Sequence, residues 1–280
     1  MGTFGSSIPR SPEARKIATG NARSRRVVLV ALLVLSAWSA YGQENAAPPH
    51  HAEPDNGTDP TRMSRSATLT YEHLDLLQGF RHDMFRIEGV FPFGARKNWS
   101  TRVRVPVVST DTAGDDGYGF GDVSVQLAHV FGMTRKRGFV AQGEFTFDTA
   151  SRDELGGGQT VFKGTLIYAK FLPHGIFAPA LVHSVDVGGG GGDRPDVSTT
   201  TIDFYYVPKL SGGKYATFDP AINYDWENDR QFASLAVTLG KSIGPAFGGN
   251  SQVYIKPSFQ VGAERASDWG IEVGYKVIGF

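Results

Sequence analysis

Beyond residue 63 the chain alternates apolar and polar residues almost one for one, and a period of two marks strands with one apolar and one polar face. The stretch from Asp268 to Phe280 shows it most clearly: Trp269, Ile271, Val273, Tyr275 and Val277 interleave with Gly270, Glu272, Gly274 and Lys276. One face is bulky and begins with Trp; the other is charged or small, as expected of a wall strand between lipid and a watery lumen. Twelve such runs are expected, near 64–74, 82–93, 98–108, 119–132, 137–149, 159–172, 175–187, 199–210, 214–226, 231–243, 251–264 and 268–280. The expected fold is all-β: a transmembrane antiparallel β-barrel of about 12 strands over 64–280. An even count places both ends of the barrel on the periplasmic side.

The connections point the same way. Segments 111–118, 151–159 and 188–197 are long and rich in Gly and Asp, as outer loops are, whereas 95–97, 134–136, 173–175 and 211–213 are tight, as inner turns are. Gly244 to Asn250 stands out as a long inner turn. Parity sends Phe85, Ile87, Val103, Val125, Phe145, Leu181, Phe204, Leu235, Val237, Ile255 and Phe259 outward to lipid. It sends Arg86, Glu88, Arg102, Arg104, Asp122, Glu144, Asp148, Asp203, Asp219, Lys256, Glu264, Glu272 and Lys276 inward as candidate lumen-lining residues. On this map Asp122, Asp148, Asp186, Asp225 and Glu264 lie near the outer mouth, and Arg102, Arg104, Lys209, Lys256 and Lys276 lie lower. The run 159–172 has two mixed faces.

Composition changes the picture mainly by exclusion. With no Cys, 35 Gly, 12% aromatic residues and a mean hydropathy of −0.21, the chain fits neither a disulfide scaffold nor a helical membrane protein. At the amino end Arg23, Arg25 and Arg26 precede the apolar run Val27 to Leu35, and Ala40-Tyr41-Gly42 offers small residues for a signal peptidase. That run is half the roughly 20 residues a transmembrane helix needs. We therefore expect a signal peptide over 1–42, cleaved near Gly42, and delivery to the outer membrane of a Gram-negative bacterium. Residues 43–63 are polar and rich in Pro, Asp, Asn and His, and are expected to form a disordered periplasmic lead-in.

The full chain holds 28 residues of each charge, but the leader takes six basic and one acidic residue, which leaves 22 basic against 27 acidic. A net charge near −5 argues against nucleic acid as a partner. The expected partners are outer-membrane lipids and lipopolysaccharide, and a small-molecule solute.

Candidate chemistry is sparse. Gly117-Tyr-Gly-Phe-Gly-Asp122 leads into a strand rather than a helix, so its glycines do not form a phosphate loop. His50-His51 lies in a polar tail, and Asp111, Asp115 and Asp116 match no calcium-loop spacing. His183 and Ser184 are adjacent in a strand and point to opposite faces, which rules them out as base and nucleophile. His73 and Ser267, both outward near the outer rim where the first and last strands meet, form a second hydrolase candidate with no evident third member. No catalytic residue, metal ligand or cofactor is expected.

Two resemblances add to this reading. The strand ending on Phe280 resembles the closing strand of bacterial outer-membrane barrels, whose terminal aromatic residue is read by the barrel-assembly machinery; that machinery is the implied partner. Phe280 has the parity of Lys276 instead of Tyr275, so either Gly279 sits in a bulge or the terminal signal is weak. The stretch Gly119-Phe-Gly-Asp-Val-Ser-Val-Gln-Leu127 within this barrel pattern resembles the outer-membrane family associated with phenol degradation (the MetA pathway) and transport. The resemblance implies a channel or facilitator for small solutes, with small aromatic or hydrophobic molecules as one class. The alternatives are a lipid-modifying hydrolase and a structural or adhesive barrel without transport.

Overall fold

The computed structural model describes residues 55–112, 114, 117–189 and 196–280. The expected leader, lead-in residues 43–54 with His50 and His51, and Asp115 and Asp116 lie outside the described residues.

Each alternating run forms a strand and pairs antiparallel with the next. The strands are β1 (Ser66–Leu76), β2 (Arg81–Phe93), β3 (Trp99–Thr110), β4 (Gly119–Phe120), β5 (Ser124–Phe131), β6 (Arg137–Thr146), β7 (Gln159–Leu172), β8 (Gly175–Gly189), β9 (Ser198–Pro208), β10 (Lys214–Asp225), β11 (Arg230–Ala246), β12 (Gly249–Val261) and β13 (Ser267–Ile278). β4 and β5 are two pieces of one wall strand, since both pair with β3. β1 pairs with β13 on one side and β2 on the other, and β2 continues to β3, so the sheet closes into a twelve-strand barrel with no open edge.

The polarity is inverted relative to a soluble protein. Ile87 is 64% exposed, Phe259 54% and Leu239 51% on the outside, whereas Glu144, Glu272 and Gln252 are buried inside at 3%, 5% and 0%. Only lipid makes that arrangement favourable, so the barrel spans a membrane. Aromatic rows mark both rims, as expected of side chains seated at headgroup level. At the turn end Phe93, Trp99, His129, Phe131, Phe139 and Tyr168 follow one another with ring centroids 4.0 to 6.2 Å apart. At the loop end Phe85 lies between Tyr71 and Tyr118, and Tyr224 meets Trp226.

Four local features depart from the sequence reading. The expected run 119–132 is broken at 121–123, because Gly121 N donates to the Pro106 carbonyl and Pro106 has no N–H to return the bond. The expected long turn from Gly244 to Asn250 is mostly strand: Pro245 pairs with Asn250 and Ala246 with Gly249, leaving Phe247 and Gly248 as a two-residue tip, both at positive φ. β13 stops at Ile278, and Gly279, at φ +82°, turns Phe280 out of the ladder beside Gly248. Finally, the described part of the lead-in, Asp55 to Met63, has a fixed place inside the turn end of the barrel, against the expected disorder. A polar interior supplies hydrogen-bond partners to a segment too polar for an apolar core.

Candidate functional site

Inward parity and strand register assemble a ladder of charges along one wall. Glu88 on β2 faces Arg104 on β3, and Lys256 on β12 faces Glu272 on β13. Arg104 Nε donates to Glu88 Oε2 at 2.8 Å, Arg102 Nε lies 3.6 Å from Glu88 Oε1, and Arg104 also pairs with Glu144 on β6. Glu144 accepts from Lys163 Nζ at 2.9 Å and from Gln126 Nε2 at 3.2 Å. Arg86 Nη2 donates to Glu272 Oε2 at 2.8 Å, and Tyr254 OH donates to Glu272 Oε1 at 2.8 Å. The Tyr254 ring lies over Gly274, where a Cβ would come within 2.3 Å of it, so glycine is what lets Tyr254 reach Glu272. The ladder runs from β12 through β13, β1, β2, β3, β5 and β6 to β7, with Glu72 on β1 3.9 Å from Arg86 Nη1. An unpaired carboxylate as buried as Glu144 would cost several kcal/mol, and its three donors offset that. Lys163 escaped the sequence reading because its strand has two mixed faces.

The facing wall, β8 to β11, is built differently. Ala178, Ala180, Ala221, Ala236, Thr201 and Ser234 line it together with Tyr205, and the charges midway along it are Asp203 and Asp219, with Asp186 and Asp225 at its loop end. Among the described residues neither Asp203 nor Asp219 is ion-paired to Lys or Arg. Between the walls, at the turn end, sits the segment 55–64. Gln252 Nε2 donates to the Asp55 carbonyl at 3.3 Å, Tyr205 OH donates to the Thr58 carbonyl at 3.0 Å, and Ser100 Oγ lies 3.0 Å from Met63 Sδ. The segment also clasps itself: Arg62 Nε is 3.2 Å from Asp55 Oδ2, and Asp59 Oδ1 accepts from Thr61 N at 2.9 Å. A cavity of about 300 Å³ remains beside it, bordered by Glu88, Arg102, Asp203, Tyr205, Asp219 and Lys276.

At the loop end the acids hold loops. Asp122 Oδ1 accepts from Thr149 N and Ala150 N, each at 3.0 Å, and Asp122 Oδ2 accepts from Gly157 N at 2.6 Å. This pins loop 147–158 so that Leu155, 3% exposed, covers Gly119 and Gly121; a Cβ on Gly119 would lie 2.6 Å from Leu155 Cδ1. The Gly-Phe-Gly-Asp motif therefore has a mechanical cause: the glycines make room for the loop and the aspartate fastens it. Asp186 accepts from Val197 N at 2.8 Å, and Asp225 caps the turn at Glu227 and Asn228. Asp148 lies past the end of β6 and is exposed, and Glu264 sits in the β12–β13 connection, 3.4 Å from Arg230.

The structure does not bring the hydrolase candidates together. His73 pairs with Ile271 and Ser267 with Leu76, a separation of four strand residues or about 13 Å. His73 Nδ1 instead lies 2.7 Å from Asp83 Oδ1, which also accepts from Tyr71 OH. His183 Nδ1 is 2.9 Å from Thr200 Oγ1, and Ser184 faces Lys163 across the β7–β8 pair. Asp111 is engaged by Arg81, whose backbone N–H donates to its Oδ1 at 2.8 Å.

No protein-family model matches the chain, and no curated protein sequence is similar to it. Solved structures are similar in fold. The COG4313 outer membrane channel from Pseudomonas putida F1 superposes with a TM-score of 0.65 over 81% of this chain and 99% of that one, at 11% identity. The NanC porin superposes with a TM-score of 0.54 over 77% of this chain and 99% of that one, at 10% identity. At such identities the likeness establishes the barrel architecture.

Proposed function

We propose that the chain is a bacterial outer-membrane channel that passes small solutes through a narrow, wet lumen. The observation that carries this reading is the split interior: an ion-paired ladder on one wall, small side chains with two carboxylates on the other, and a polar-rimmed cavity between them. Among the described residues the buried atoms Arg86 Nε, Arg102 Nε and Asp203 Oδ1 have no hydrogen-bond partner within the protein. Buried polar atoms in proteins are generally hydrogen-bonded, so a wet lumen accounts for such atoms on the inner wall. Both structural neighbours are described as a channel or a porin, which supports the same reading. With the short connections on the periplasmic side, as in bacterial barrels generally, the segment 55–64 would narrow the periplasmic mouth. The small aromatic or hydrophobic molecules implied by the phenol-degradation resemblance would travel along the alanine-rich wall. A leader over 1–42 would direct export.

Reversal potentials across a salt gradient test the role of the lumen charges. Lys256→Gln together with Lys276→Gln removes two cations from the ladder side, and the ion preference should shift toward cations because a low-dielectric wall focuses the remaining carboxylate field. An unchanged reversal potential would show that ions do not pass along this wall.

A further inference from the structure

The terminal rim carries a charge pattern that neither the fold nor conduction explains. In the β6–β7 pair Arg137 stands directly opposite Lys170, and in the β10–β11 pair Lys214 stands directly opposite Lys241. Like charges directly opposite in an antiparallel pair, with Cβ atoms about 5 Å apart, destabilise the pairing unless an anion lies between them. All four side chains are exposed, and none is ion-paired to a carboxylate among the described residues. Parity places them on the lipid side. Lys170 follows Leu166 and Tyr168, Arg137 precedes Phe139, Lys241 follows Leu239, and Lys214 precedes Phe218 on the same faces.

The connecting turns offer no compensating acid, and the acids of the segment 55–64, Asp55 and Asp59, lie inside the barrel where Asp55 pairs with Arg62. The turns 94–98, 132–136, 173–174, 209–213 and 247–248 contain Arg96, Lys97, Arg135, Lys136 and Lys209 but no Asp or Glu. The loop end is the opposite: Arg81, Arg230 and Arg265 there pair with Asp111, Glu264 and Asp268. Cations are therefore matched at one end and left as facing pairs at the other. Just inside the first pair Phe139 and Tyr168 meet as tilted rings with centroids 5.3 Å apart, which sets the pair at headgroup depth.

We propose that the pairs Arg137/Lys170 and Lys214/Lys241 are two binding sites for the phosphate of an anionic glycerophospholipid in the periplasmic leaflet. This rests on the turn end being periplasmic. A phosphodiester between the two cations turns like-charge repulsion into two charge-assisted contacts, while the acyl chains lie along the apolar wall above. A soluble anion would gain the first contact but not the second, so the lipid is favoured.

The test is native mass spectrometry of the folded full-length protein carried in detergent with equimolar phosphatidylglycerol and phosphatidylethanolamine. Wild type should retain phosphatidylglycerol over phosphatidylethanolamine by at least about fivefold. Arg137→Gln with Lys170→Gln should lower the ratio, and adding Lys214→Gln and Lys241→Gln should bring it near one. Lys170→Arg with Lys214→Arg should keep it, and Arg230→Gln, at the other end, should leave it unchanged. Folding of each variant is checked by heat-modifiable gel migration; if the fourfold variant misfolds, the two pair variants tested separately decide. Equal retention of the two lipids by wild type, or an unchanged ratio in the pair variants, overturns the proposal. So does release of the lipid by millimolar inorganic phosphate that takes its place, which would make the site one for a free anion. Conductance measured on the same samples separates this proposal from the channel reading, since lipid preference can be lost with conductance intact, and the reverse.

Discussion

Glu144 is the point of the charge ladder most exposed to test, because one buried carboxylate holds Arg104, Lys163 and Gln126 at once. Replacing it with Gln keeps the shape and removes the charge. Breaking a fully buried ion pair from one side costs about 3 to 5 kcal/mol. Here two facts reduce that figure: Arg104 keeps its 2.8 Å bond to Glu88, and the Lys163 side chain is 37% exposed and can turn to water. The expected loss is about 1.5 to 3 kcal/mol, since charged hydrogen bonds are each worth about that much. Glu264→Gln serves as a control. Its partner Arg230 is 55% exposed and Glu264 is 49% exposed, so that substitution should cost less than about 1 kcal/mol. Urea unfolding in lipid vesicles, followed by tryptophan fluorescence, measures both. A double-mutant cycle of Glu144→Gln with Lys163→Met should give a coupling of about 1 kcal/mol. Equal costs for Glu144→Gln and Glu264→Gln, together with zero coupling, would refute a ladder that stabilises the barrel.

Other outcomes follow from the same geometry. Val237→Arg puts a charge on the lipid face of β11 and should destabilise by about 2 to 4 kcal/mol, whereas Thr238→Arg points into the lumen and should cost much less; equal costs by urea unfolding would mean the register of β11 is wrong. Asp122→Ala leaves the N–H groups of Thr149, Ala150 and Gly157 without their acceptor, so trypsin cleavage after Arg152 should accelerate about tenfold. An unchanged cleavage rate would mean that Asp122 does not hold the loop.

Much of this architecture is legible in the chain because a membrane barrel repeats one rule: every wall strand must alternate, and parity then assigns its faces. Trp269 to Val277 and Phe85 to Phe93 are read correctly for that reason. Interruptions are harder. The break at 121–123 depends on Pro106 lying opposite in β3, a pairing that no local pattern shows. The hairpin through Pro245 and Ala246 was obscured by Gly and Pro residues that ordinarily end strands. The segment 55–63 shows the limit of a composition rule: low hydrophobicity excludes a segment from an apolar core, but here the core is polar, and the Thr58 carbonyl accepts from Tyr205 while Gln252 donates to the Asp55 carbonyl. Inward parity of Arg104 and Glu144 is legible, but their bond is not, because they stand on β3 and β6 with β5 between, and the stagger around the barrel decides which charges meet.

The most direct test of the channel reading is single-channel recording in planar bilayers of refolded protein, compared with a variant lacking residues 55–63. Wild type should show a small conductance, because that segment narrows the turn end of the barrel and the paired charges fill much of the remaining lumen. The deletion variant, with the Thr58 and Asp55 contacts to Tyr205 and Gln252 gone, should conduct several times more. No conductance from either protein, once both are shown to be folded and inserted, would contradict a water-filled path through the barrel.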